Sequence, residues 1–267
     1  MTISGKGTAV VTGASSGIGA IYADRLARRG HDLLLVARRR KRLAGLAKYL
    51  REETGRSIEV IAADLNDTVD LAGIETILRD GDDISMLVNS AGVGAISPLL
   101  SSDVSKMCEM IALNVTALTR LTYAAAPGFA VRGGAIINIA SAVGIAPEIL
   151  NGVYGGTKAF VLALTLSLHK ELAGKNVRIQ AVLPGAIATD FWETAGLPVT
   201  HLSAEMVMRA DEMVDAALAG LDQGEVITVP SLPDAADWQA YEAARQKLIP
   251  NLSRRVAALR YRARVVA

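Results

Sequence analysis

Short apolar runs alternate with segments of helical periodicity along most of this chain, and that alternation limits its fold more than any other feature. The runs predict strands over 8–12, 32–37, 58–62, 86–88, 135–140, 177–183 and 226–229. The segments between them predict helices over 17–29, 41–54, 69–79, 103–125, 152–172 and 204–221. Strands apolar almost throughout are buried on both faces, which a parallel sheet covered by helices on each side achieves. The expected architecture is α/β: a three-layer, doubly wound Rossmann-type sheet of about seven parallel strands. Residues 1–230 are expected to form one domain, with a C-terminal helical extension, 231–267, packed on it.

Composition narrows the class. At 267 residues, 51% hydrophobic and 21% charged, the chain suits one large globular domain. Three Phe and two Trp leave a core of Ala, Val, Leu and Ile. The single Cys108 excludes an intrachain disulfide and fits a reducing compartment. No Cys/His cluster has metal-ligand spacing, so no metal is expected. A net charge of +1 gives no general attraction for nucleic acid or acidic membranes. The first strand starts too early to leave room for a secretion signal. The longest apolar run, 159–168, falls well short of the roughly 20 residues that span a bilayer. The expectation is a cytoplasmic protein without integral membrane association.

In a doubly wound sheet, ligands bind where strands end, so the turns after the strands carry the chemistry. The first reads Thr12-Gly13-Ala14-Ser15-Ser16-Gly17-Ile18-Gly19. Glycines there let the backbone approach a pyrophosphate, and the following helix offers free N–H groups. The spacing is Gly-x-x-x-Gly-x-Gly rather than the commoner Gly-x-Gly-x-x-Gly. After the second strand, where an NAD site carries an acidic residue, Ala37 is followed by Arg38-Arg39-Arg40-Lys41-Arg42. Arginine makes bidentate bonds with phosphate, which favours NADP through Arg38, helped by Ser15 and Arg39, with NAD still possible.

Tyr154 and Lys158 lie four residues apart, on one face of a predicted helix. A nearby ammonium favours the charged phenolate and is expected to lower the phenol's pKa into the range of general acid–base catalysis. Ser141, at the end of the preceding strand, can hold a substrate oxygen beside that phenol.

Taken together these residues resemble the short-chain dehydrogenases/reductases, over about residues 6 to 230. Asp64-Leu65 is similar to the family's adenine-contacting pair. Asn89-Ser90-Ala91-Gly92 resembles its Asn-Asn-Ala-Gly turn, with Ser90 the one departure, and this likeness implies cofactor contacts at Asn89, Ala91 and Gly92. Asn114 matches the Asn that holds a water in a proton relay. Ser141, Tyr154 and Lys158 match the catalytic set, including the 13-residue step from Ser to Tyr. Pro184-Gly185-Ala186-Ile187-Ala188-Thr189 looks like the segment holding the nicotinamide carboxamide.

The resemblance implies that Ser141 polarises the substrate oxygen and Tyr154 donates the proton. Lys158 would bind the nicotinamide ribose and stabilise the tyrosinate, with Asn114 linking it to solvent. The implied reaction interconverts a carbonyl and a secondary alcohol on a small-molecule substrate. An NAD-dependent alcohol dehydrogenase and a non-catalytic nucleotide sensor are the alternatives. Family dimers and tetramers imply a homo-oligomer across the helices carrying Asn114 and Tyr154, where Phe160, Val161, Leu162, Leu164, Leu166 and Leu168 run most of the way round one helix.

Phe191 and Trp192 read either as a lid over the nicotinamide or as packing of that lid on the core. The extension reads as helices over 235–248 and 252–262 around Pro250. Its arginines suit a cap or subunit contact, an anionic surface site, or a solvated basic face.

Overall fold

The computed structural model describes residues 6–262. Seven parallel strands form one sheet in the order β3-β2-β1-β4-β5-β6-β9. They are β1 (Thr8–Thr12), β2 (Asp32–Ala37), β3 (Ile58–Ala62), β4 (Ile84–Asn89), β5 (Gly134–Ile139), β6 (Val177–Val182) and β9 (Ile227–Thr228). The order reverses between β1 and β4, which opens a crevice at the carboxyl ends of those strands.

Successive strand residues feed opposite cores, as the pleat requires. Ala9, Val11, Leu33 and Leu35 meet α1 (Gly17–Arg28), α2 (Arg40–Thr54) and α8 (Ala210–Asp222) through Leu26, Leu43, Leu50 and Val214. Val10, Leu34 and Val36 join a second core on the other face with α3 (Thr68–Asp80), α5 (Leu118–Arg132) and α6 (Gly152–Glu171), through Ile74, Leu121, Phe129 and Leu168. Both faces are therefore covered, in agreement with the apolar strands.

Several elements differ from the sequence expectation. The helix over 103–125 is three pieces: α4 (Val104–Ile111), a π-helical stretch Ala112–Ala117, and α5. It runs on through Pro127 to Arg132. The carbonyl that Pro127 deprives of a donor belongs to Tyr123, an exposed residue. The helix expected from 204 starts at Ala210, because a 3-10 turn at Ala204–Met206 and the two-residue β8 (Val207–Met208) come first. β8 pairs with β7 (Ala186–Ile187) in a small second sheet too short to show periodicity. Between them lies α7 (Phe191–Ala195).

The chain divides into two compact units, Met1–Pro230 and Ser231–Ala267. The second contains α9 (Ala235–Leu248), capped by Asp234, whose carboxylate accepts from the Ala236 N–H. The helix expected over 252–262 is absent, replaced by 3-10 turns at Ile249–Asn251 and Leu259–Tyr261. No residue of 252–262 is buried, and a short helix without a packed face does not offset its nucleation cost. Among the described residues, no helix is long and apolar enough to cross a membrane.

Candidate active site

The turn after β1 is built around close backbone approaches. Gly13 has φ +69°, and a Cβ there would lie 2.9 Å from the Ala91 backbone. A Cβ at Gly19 would lie 2.5 Å from the Gly13 carbonyl oxygen. Only glycine fits either position. Thr12 joins this turn to the one after β4: its Oγ1 accepts from the N–H groups of Ser90 and Ala91 at 3.0 and 3.1 Å. Sequence reasoning missed this role, since a threonine ending a strand carries no distinctive signal.

A cavity of about 290 Å³ lies over these turns. Gly13, Ser15, Ser16, Gly17, Ile18 and Gly19 form its floor. Arg38, Arg39, Asp64, Leu65, Ala91, Gly92 and Thr189 also line it.

Arg39 donates to Ser15 Oγ at 3.3 Å and to Ser16 Oγ at 2.7 Å. Arg38 is largely exposed, its nearest carboxylate Asp64 at 4.0 Å. Of the two arginines, Arg39 is therefore the one fixed to the glycine-rich turn. Ser16 occupies the N-cap position of α1 without capping it, its hydroxyl turned to Arg39 instead.

Asn89, Pro184, Gly185 and Ile187, expected as cofactor contacts, do not line this cavity. The Asn89 side chain is buried and donates to Thr122 Oγ1 at 3.0 Å and Asn138 Oδ1 at 2.9 Å, inside the sheet and helix layer. The Pro184 carbonyl accepts from Ser141 Oγ at 3.3 Å. The carbonyl of buried Ile187 accepts from Trp192 Nε1 at 2.9 Å, and Gly185 beside it is exposed.

Tyr154 and Lys158 lie on the buried face of α6. Asn151 caps that helix, its Oδ1 accepting from the N–H groups of Val153 and Tyr154 at 2.9 and 3.2 Å, which sets the first turn carrying the phenol. An Asn before an apolar helix was the available signal for this role. Lys158 Nζ donates to the Ile139 carbonyl at 2.8 Å and stands 5.8 Å from the Tyr154 ring centroid.

The electrostatics differ from the simple expectation of a lowered phenol pKa. Burial pushes Tyr154 up to about 12, and the Ser141 hydroxyl beside it pulls in the opposite direction. Burial also brings Lys158 down to about 8. Both groups are shifted toward their neutral forms, because desolvation by burial is the largest influence on each.

Asn114, in the π-helical stretch, is 2% exposed. Its Nδ2 donates to the Val93 carbonyl at 2.8 Å and Thr157 Oγ1 at 3.1 Å, and its Oδ1 accepts from Val93 N–H at 3.0 Å. The amide thereby pins the loop after β4 to α6. Around Tyr154, Ala95, Met110 and Val143 form a buried apolar cluster, with Leu150 and Phe191 packed against it.

A sequence profile of the short chain dehydrogenases matches residues 7–198. A short-chain dehydrogenase from Sphingobium yanoikuyae, solved in complex with NADPH, is 48% identical with a TM-score of 0.92, covering 96% of this chain and 100% of that one. The bulky-bulky ketone specific alcohol dehydrogenase from Comamonas testosteroni is 46% identical with a TM-score of 0.87, covering 96% and 98%. The very-long-chain 3-oxoacyl-CoA reductase of Anas platyrhynchos is 36% identical over 186 residues, 68% of this chain and 60% of that relative's length.

Proposed function

We propose that this chain, which belongs to the short-chain dehydrogenase/reductase family and is an oxidoreductase of CH–OH and C=O groups, reduces apolar ketones to secondary alcohols with NADPH. The observation that carries the cofactor choice is the pair of guanidinium groups at the end of β2, with no carboxylate at Ala37 and Arg39 already bound to Ser15 and Ser16. The NADPH in the Sphingobium relative supports the same choice. The glycine cradle fits a pyrophosphate, since a side chain at Gly13 or Gly19 would collide with backbone.

Arg38, Arg39 and Ser15 would hold the 2′-phosphate, Asp64 and Leu65 the adenine, and Gly92 and Thr189 the nicotinamide end. Bound there, NADPH supplies a hydride. Ser141 holds the carbonyl oxygen, and Tyr154, kept protonated by its burial, donates the phenolic proton to that oxygen as the alcohol forms. Lys158, anchored on Ile139, places positive charge behind the phenol and stabilises the tyrosinate left behind. The Ala95, Val143, Leu150 and Phe191 walls exclude water and accept apolar groups on the ketone.

The test is a parallel titration with NADPH and NADH, followed by nicotinamide fluorescence, on wild type, Arg38→Ala and Arg39→Ala. Tight NADPH binding that weakens in the variants is the expected result. A preference for NADH in the wild type overturns the cofactor reading.

A further inference from the structure

We propose that Phe191 sets the size limit for the substrate in front of Tyr154, and that Gly94 is the socket in which its ring is parked. The proposal rests on the ketone reductase reading and adds the residue that decides which ketones fit.

The ring stands where the two halves of the site meet. Phe191 lines the dinucleotide cavity and also packs against the apolar cluster that contains Tyr154. Its ring centroid is 5.8 Å from that of Tyr154 at an interplanar angle of 44°. Any ketone that brings its oxygen to the phenol brings one of its two carbon substituents against this ring.

The ring reaches that position only because residue 94 has no side chain. A Cβ on Gly94 would lie 2.2 Å from Phe191 Cζ and 2.8 Å from Cε2, far inside contact distance. Gly94 has no positive φ, so backbone freedom does not account for the glycine. Space for the ring does.

The backbone under the ring is held on both sides, which leaves the side chain as the part that moves. Trp192 is buried, donates to Ile187, and meets the Phe191 ring edge-on at a centroid distance of 5.6 Å. Thr189 packs over Gly17, where a Cβ would come within 3.2 Å of its Cγ2. Asp190 pairs with Arg42 at 3.3 Å. Phe191 itself is only half-buried, between two anchored neighbours, so a rotamer change is the movement open to it. A ketone with one small substituent leaves the ring parked on Gly94. A ketone with two bulky substituents needs that volume, and the ring must leave.

The test compares kcat/KM with NADPH for a methyl ketone and a diaryl ketone in wild type, Phe191→Ala, Phe191→Leu and Gly94→Ala. Phe191→Ala is expected to raise the diaryl-to-methyl ratio about tenfold or more, the scale on which a few carbon atoms of pocket volume discriminate substrates. Phe191→Leu, which keeps the apolar packing, is expected to shift the ratio the same way by less. Gly94→Ala drives the ring toward Tyr154 and is expected to lower the ratio. Folded, active Phe191 variants with the wild-type ratio overturn the proposal, as does an equal loss on both substrates. A wild type inert toward every ketone with NADPH overturns the reductase reading, and this inference with it.

Discussion

Asp190, beside α7, and Arg42, in the first turn of α2, form an ion pair at 3.3 Å, although 148 positions separate them in the chain. Asp190 lines the same cleft as Arg38 and Arg39, so the pair ties the segment before α7 to the start of α2. Both side chains are more than half exposed, so the fastening is weak and screened by salt. Asp190→Asn and Arg42→Gln are each expected to speed NADPH release about two- to fivefold, the modest effect of an exposed pair. Stopped-flow dissociation at low and high salt checks this, with the wild type approaching the variants as salt rises.

Tyr154→Phe removes the phenolic proton proposed to pass to the substrate oxygen. Turnover is expected to fall by about 10² to 10⁴, the usual worth of a positioned acid. The ring still packs against Phe191 and Val143, so the melting temperature and NADPH affinity should hold. Wild-type turnover in this variant would rule out Tyr154 as the donor.

Lys158 should make the activity depend on pH. Its ammonium is charged below about 8 and neutral above. Since kcat/KM reports groups of the free enzyme, ketone reduction should decline as pH rises through that value. Lys158→Arg, which stays charged, should flatten the decline in whatever activity it retains.

The same lysine makes a stability prediction. Its pKa is about 8 in the fold against an ordinary 10.5, so below pH 8 it is charged in folded and unfolded chain alike, and its burial costs stability. Between those values the unfolded chain binds the additional proton, and stability rises with pH. Lys158→Met should therefore be more stable than wild type near neutrality, by on the order of 3 kcal/mol. Urea unfolding should show that advantage shrinking above about pH 8.

Arg39 anchors the turn that would face a 2′-phosphate. Arg39→Ala is expected to weaken NADPH about tenfold or more while barely changing NADH, since a charge-assisted bond contributes about 1.5–3 kcal/mol. Equal weakening of both cofactors would make Arg39 a loop support only.

Leu99, Leu100 and Val104 stand 83%, 100% and 73% exposed near the start of α4, a concentration of apolar surface expected at a subunit contact. The outer face of α6 is less apolar than its sequence suggests: Val161, Leu162 and Leu168 are buried within the chain, while Phe160 remains exposed. Light scattering should give a mass of two or four chains of 28.0 kDa. Leu100→Glu should shift it toward one.

Periodicity revealed much of this molecule because each strand is buried on both faces and each flanking helix on one. It placed all seven strands of the main sheet and put Tyr154 and Lys158 on one face of α6. What it could not reveal depends on which distant group a side chain meets. Trp192 packs into the core and Phe191 stays in the cleft, dividing between them the two roles that the pair suggested. Asn89, read from its turn as a cofactor contact, points into the interior because Thr122 and Asn138 wait there. The last turns of the second unit have no buried face, so their composition had no packing to act on.

Asn89 and Asn138 also stand opposite each other as partners on β4 and β5. In a sheet buried on both sides, a strand displaced by one residue still buries aliphatic side chains, so hydrophobicity alone specifies alignment weakly. A slip here would set Asn89 against Ile137 or Ile139 and strand an amide in the interior, at about 1–3 kcal/mol for each group left unbonded. The pair thus acts as a register mark between β4 and β5, favouring the one alignment in which the two amides meet.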